Sequence, residues 1–197
     1  MLAAIVILLS VTPLGYLKTP VLEITFMMIP VVIASVLVGP LAGAIVGGIF
    51  GITSFLQCFG IGGYSLFGGI LLSINPFYTF IMCIPTRILA GLIPGYIAKA
   101  LAGIDKKRAV SSVISALSGA LLNTIFFVGT FALLFGGQWQ NIVTEMETGI
   151  GVSLGITSLF NLLVFIVGTN GLIEAIVTAV VGGAISVGLY HALKRRM

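Results

Sequence analysis

Charge is what this chain has least of. Asp, Glu, Lys and Arg make up 7% of its 197 residues, against about 25% in a soluble domain, which excludes a water-covered globular fold. Of its acids only Glu174 falls within an apolar run at membrane depth. That rules out the acid–base pair, HExxH or Asp–Asp arrangement that hydrolysis or metal-dependent phosphotransfer needs. The single histidine, His191, adjoins the terminal basic residues and reads as a side chain of the lipid–water boundary. Neither GxxxxGK[ST] nor a glycine-rich turn after a strand occurs, so the chain cannot hydrolyse nucleotide itself. Cys58 and Cys83 are the only cysteines. They lack metal-ligand spacing and read as small core residues. No catalytic residue, metal or cofactor of its own is expected, and the chain is not read as an enzyme.

What remains is apolar. Hydrophobic residues make up 59% of the chain and mean hydropathy is +1.26. The 26 glycines and seven prolines fit as well, since both are commoner in membrane helices than in soluble ones. The reading is an all-α membrane protein, one integral domain over 1–197. A span takes about 20 apolar residues, and six are expected, over 1–12, 22–38, 41–58, 76–102, 109–135 and 169–193. The first is short and Met1 already lies inside it, so helix one is expected to be truncated at its N-terminus. It has neither the basic leader nor the cleavage site of a signal peptide. Basic residues orient the rest. Lys99 with Asp105-Lys106-Lys107-Arg108, and Lys194-Arg195-Arg196 at the end, go to the cytoplasmic side with both termini; Lys18, Glu145 and Glu147 go outside. The net charge of +4 thus reads as a topology signal and not as nucleic-acid binding. A seventh span at 150–168 would split the two basic clusters. That stretch is therefore expected as a re-entrant or interfacial helix.

The connections differ on the two sides. Inner turns are minimal, at Gly39-Pro40 and 103–108, whereas the outer connections 12–21, 59–75 and 136–168 are long and glycine-hinged. Long loops on one side suggest lids over a cavity. Gly39, Gly43, Gly47 and Gly51 recur every fourth residue and lie on one helical face. Either that face packs another helix of the chain closely, or it offers a docking surface to a partner membrane protein. Gly91 and Gly95 make a shorter version of the same pattern.

Arg87 stands out because it interrupts an apolar run from 76 to 98. A guanidinium at bilayer depth costs roughly 2.5 kcal/mol or more, so it marks either a site or an internal salt bridge. It lies 16 residues before Gly103, and Asn123 lies 15 residues after Arg108. Both therefore sit about 22–24 Å from the inner surface. Two polar groups at one level on antiparallel neighbours can converge on one ligand. Asn170 and Glu174 open the last span slightly higher, Gln57 ends the third and Asn75 begins the fourth. An arginine ringed by amides suits a carboxylate on a neutral polar body. Tyr64, Phe67, Phe77, Tyr78, Phe126 and Phe127 would supply the apolar walls of such a pocket. Other readings stay open. Glu174 would pair with Arg87 or start a helix beside Asn170, and Asn123 would bond across helices. Trp139 and Tyr16 read as interfacial anchors.

Four stretches carry a resemblance: IPVVIASVLVGPLAGAIVGGIFGITSF, NPFYTFIMCIPTRILAGLIPGYIAKAL, SGALLNTIFFVGTFALLF and NGLIEAIVTAVVGGAI. In order and spacing the chain resembles the substrate-binding S components of energy-coupling factor (ECF) vitamin transporters. The PTR at 85–87 followed by LNT at 122–124 looks most like the pantothenate-specific members. The resemblance implies a bacterial cell-membrane subunit that captures a vitamin from outside and docks on a T component coupled to two ATPases. It then topples to release the vitamin inward, and ATP is bound by the partner ATPases. Arg87 and Asn123 would be ligand contacts. Gln57, Asn75, Tyr78, Asn170 and Glu174 complete the expected substrate set, and Ala3, Ala4, Gly39, Gly43, Gly47 and Gly51 the expected docking set. The family usually docks through an AxxxA pattern on helix one, and only Ala3-Ala4 stands near Met1 here. S components for pyridoxine, nicotinate, riboflavin or folate remain alternatives, as does a self-sufficient secondary carrier.

Overall fold

The computed structural model describes residues 1–12, 15–18, 23–103, 105, 108–151 and 153–194; for 16–18, 23, 24, 169, 170, 193 and 194 only the backbone is described. Lys106, Lys107, Arg195, Arg196 and the side chains of Tyr16, Lys18 and Lys194 therefore fall outside it. Helices dominate: α1 Leu2–Ser10, α2 Met28–Leu37, α3 Pro40–Cys58, α4 Leu66–Ile74, α5 Pro76–Cys83, α6 Pro85–Leu101 and α7 Ala109–Phe135. They are followed by α8 Trp139–Ile150, α9 Leu159–Ile166, α10 Leu172–Val177 and α11 Gly183–Lys194. A short antiparallel ribbon, β1 Tyr16–Lys18 with β2 Glu23–Thr25, adds a small exception to the all-α expectation.

Four helical stretches among the described residues are long and apolar enough to cross a membrane: Pro40–Cys58, Pro76–Leu101, Ala109–Ile150 and Leu172–Ala192. The two remaining expected spans are short, with nine residues in α1 and ten in α2. For α2 the reason is Pro30. A proline is tolerated in the first helical turn, where its missing N–H has no partner anyway, but deeper in a helix it clashes with the carbonyl four residues back. The helix therefore starts at Met28, and 23–25 is left extended.

The apolar stretch 150–168 also differs from expectation. It does not form a separate element, because α9 runs on through π-helical turns at Val167–Gly171 and Thr178–Gly182, with helical dihedrals at each junction. One rod thus extends from Leu159 to Lys194. The connection 59–75 likewise contains α4, whose N-cap Ser65 accepts a hydrogen bond from the Gly68 N–H at 3.2 Å. α8 lays Ile142, Val143 and Met146 into the core and closes on Gly151 at φ 68, a left-handed helix cap that favours glycine.

Two cores result. At the end of the bundle with the Gly39-Pro40 turn, the end of α6 and the start of α7, Val6, Met28, Val31, Val32, Val46 and Phe50 interlock with Ala90 and Ala116. At the opposite end Phe67, Leu71, Met82, Phe131, Phe135 and Met146 make a bulkier cluster. α3 and α6 meet most closely. A Cβ on Gly43 would stand 2.2 Å from the Gly91 oxygen, one on Gly47 2.4 Å from the Arg87 oxygen, and one on Gly51 2.8 Å from the Cys83 oxygen. Three of the four glycines expected to face a partner are thus covered by the chain's own backbone, Gly43 and Gly47 by α6 and Gly51 by the junction of α5 and α6, because only bare backbone permits such an approach. Gly39 stands apart in the turn, with φ 132, while Ala4 is exposed and Ala3 half-buried.

Candidate functional site

The placement of the polar residues follows from faces of small residues. On α6, Arg87 continues the buried face of Gly91, Pro94 and Ala98. On α7, Asn123 continues Ser112, Ala116 and Gly119. On the last rod, Glu174 continues Thr178, Gly182 and Ser186. Each series advances by three or four residues, one face of a helix. Small residues draw the three backbones together, and at the end of each row a polar side chain enters the gap where packing widens.

That gap is a cavity of about 100 Å³, lined among others by Gln57, Arg87, Asn123 and Glu174. One water needs roughly 10–15 Å³ of such space, so there is room for a ligand group or several waters. Arg87, Asn123, Glu174 and Gln57 are each at least nine-tenths buried. Phe67 and Phe127 contribute walls; Thr25, Ser54 and Ser65 add hydroxyl-bearing side chains.

Arg87 is held by its own helix. Pro85 cannot donate to the preceding turn, and the helix is interrupted at Ile84. The arginine side chain points back toward the helix start, as helical side chains do, and Nη1 donates to the Met82 oxygen at 3.2 Å and the Cys83 oxygen at 3.0 Å. Phe50 lies beneath the guanidinium, 4.7 Å from its centroid, and Phe127 stands at 6.0 Å, within range for cation–π attraction. Nε is buried and has no hydrogen-bond partner among the described residues. Arg87 makes no salt bridge within 4.0 Å to any described acid. Glu174, the acid nearest in role, instead accepts from Asn123 Nδ2 at 3.1 Å through Oε1. Because its rod begins at Leu159, Glu174 sits inside a helix and not at a helix start.

The remaining expected residues divide. Gln57 lines the cavity while Nε2 donates to the Ser10 oxygen at 3.0 Å, tying α3 to the end of α1. Asn75 does not enter the cavity: Oδ1 accepts from the Phe77 and Tyr78 N–H groups, both at 3.1 Å, and caps α5. Tyr78 lies outside as well, partly exposed and edge-on to Phe135 at 5.9 Å. The Asn170 side chain is outside the described residues. Tyr64 and Phe77 are exposed, and Phe126 packs in the other core. Trp139 packs against the bulky cluster; His191 is exposed, its Nδ1 2.9 Å from the Val187 oxygen.

Several lining residues were not anticipated. Cys58 and Cys83, read as core, are buried, yet both also line the cavity. Cys83 stands one helical turn before Arg87, which was the available signal. Thr25 arrives on β2, which packs against the π turn Val167–Gly171. Gly171, in that turn, lets the rod approach α7: a Cβ there would meet Thr124 Cγ2 at 2.8 Å. No apolar periodicity announces a π turn.

The fold and site define a helical membrane protein with a partly open cavity at one end of the bundle, its apolar walls interrupted by a few polar side chains. Residues 1–185 match the family described as ECF transporter, substrate-specific component; with almost the whole chain covered, the chain belongs to that family. None of the curated proteins compared with it matches.

Proposed function

We propose that this chain captures pantothenate from outside the cell with high affinity and delivers it through a T component and two ATPases. Membership of the family makes it a transporter's substrate-specific subunit; the vitamin and the mechanism are our reading. One observation carries it: a buried guanidinium beside a cavity, with no acidic partner within 4.0 Å and no partner for its Nε among the described residues. Leaving a buried donor unpaired is costly, and a ligand carboxylate relieves that cost with charge-assisted hydrogen bonds. Pantothenate offers a carboxylate, while its amide and hydroxyls suit Asn123, Gln57 and the surrounding hydroxyl side chains. The cavity end is then the outer end, and Lys99 and the turn at 103–108 face the cytoplasm, in keeping with their basic residues.

Isothermal titration of the purified chain in detergent against pantothenate, pyridoxine, nicotinate, riboflavin and folate tests the reading. Tight, ATP-independent binding of pantothenate supports it. Preference for another vitamin moves the substrate assignment, and no binding to any of the five removes the capture role. Gradient-driven uptake by the chain alone in liposomes would point to a secondary carrier.

A further inference from the structure

The cavity holds an acid as well as a base, and the two do not satisfy each other. Arg87 spends Nη1 on two backbone carbonyls, and Glu174 spends Oε1 on Asn123. No N···O approach within 4.0 Å joins them, although both line the same space. Two complementary groups on neighbouring helices would normally close on each other in a membrane interior, where an unpaired polar group is expensive. Here each is held by another partner. The Met82 and Cys83 carbonyls hold the guanidinium back over Phe50, and Asn123 holds one carboxyl oxygen of Glu174, Oε1, beside the cavity.

We infer that Glu174, positioned by Asn123, is a specificity-determining residue that accepts a hydrogen bond from a hydroxyl or N–H of the ligand. The bound molecule thus carries an acceptor or anionic end at Arg87 and a donor end at Glu174. This rests on the capture reading above and deepens it: the site selects molecules with both ends and rejects simple carboxylates. In its ionised form a carboxyl group only accepts, so a ligand without a donor offers Glu174 no hydrogen bond. A site built around a polar group discriminates strongly against an analogue that lacks the matching one.

The test is a two-by-two titration in detergent. The wild-type chain and Glu174→Gln are each titrated with pantothenate and with its analogue in which both hydroxyls are replaced by hydrogen. Wild type is expected to bind the analogue about 10- to 100-fold more weakly than pantothenate, the span of one hydrogen bond to a charged group. Glu174→Gln is expected to weaken pantothenate by a similar factor and to leave the analogue within about threefold. Equal binding of both ligands by wild type, or equal losses for both in the variant, overturns the inference. Should Glu174→Gln not fold, Glu174→Asp is titrated in its place and read by the same two outcomes.

If the wild type ignores pantothenate but binds another of the five vitamins, only the pantothenate assignment fails, and the variant is titrated with that vitamin. A loss then upholds the role of Glu174. Tight binding of nicotinate, a carboxylate without a donor, unchanged in Glu174→Gln overturns it. No binding to any vitamin removes both proposals together.

Discussion

The two ends of the bundle solve opposite problems. At the turn end α3 and α6 touch backbone to backbone through Gly43, Gly47, Gly91 and Gly95, with Pro40 beside Gly95, and the neighbouring core is built largely of valine, alanine and methionine. At the cavity end the helices are spread by Phe67, Phe127, Phe131 and Phe135, with α4 and α8 packed alongside. Close packing in a membrane has to come from van der Waals fit, since lipid is as apolar as leucine. A binding site has to forgo some of that fit. The contrast teaches that the glycines are not beside the site by accident: Gly47 and Gly51 face the backbone of Arg87 and Cys83, so the tight end positions the loose one.

The largest effect expected from that comparison is at Gly47. Gly47→Ala sets a methyl group 2.4 Å from the Arg87 carbonyl oxygen, an overpacking that costs about 3 kcal/mol. Thermal unfolding in detergent should show a large drop, and an unchanged midpoint would mean that α3 and α6 do not pack as described. Arg87→Ala comes next. It should weaken the proposed pantothenate binding by about 100-fold or more, the scale for removing one partner of a buried charged pair, while the midpoint of unfolding holds or rises. A sharp loss of stability without ligand would assign Arg87 to the scaffold instead.

The two asparagines sharpen the contrast at smaller scale. Asn75→Ala removes the cap of α5 and should cost about 1 kcal/mol of stability with pantothenate affinity unchanged. Asn123→Ala, which frees Glu174 Oε1, should weaken binding by about tenfold, the worth of one hydrogen bond to a charged group. The opposite pattern from titration and melting would exchange their roles. The smallest effect belongs to Gly129. A Cβ there meets nothing within 4 Å, so Gly129→Ala should stabilise α7 by up to about 1 kcal/mol through helix propensity. Destabilisation would reveal a contact on that face.

The sequence read most clearly where hydropathy and glycine spacing speak. The helices at 40–58, 76–101 and 109–135 fall close to expectation, and the level assigned to Arg87 and Asn123 by counting residues from the basic turn corresponds to two side chains in one cavity. It read less well where one local residue redirects the chain. Pro30 cut the second span short. The run from Leu159 joined the last span through a π turn, because nothing between 159 and 194 breaks a helix. The residue type of Asn75 suits both a ligand contact and a helix cap. Only its position directly before Pro76, where α5 begins, shows it to be a cap.

Composition and order by themselves settled the solvent, the helical class and which rare polar groups must be explained, because hydrocarbon penalises every charge and every unpaired backbone group wherever the chain runs. The tertiary structure alone decided which of those groups meet. Whether Arg87 faces Glu174, a carbonyl or empty space depends on rotations about three helix axes and on one widened turn. Such angles are fixed by glycines packing against distant backbone and not by any neighbour in sequence.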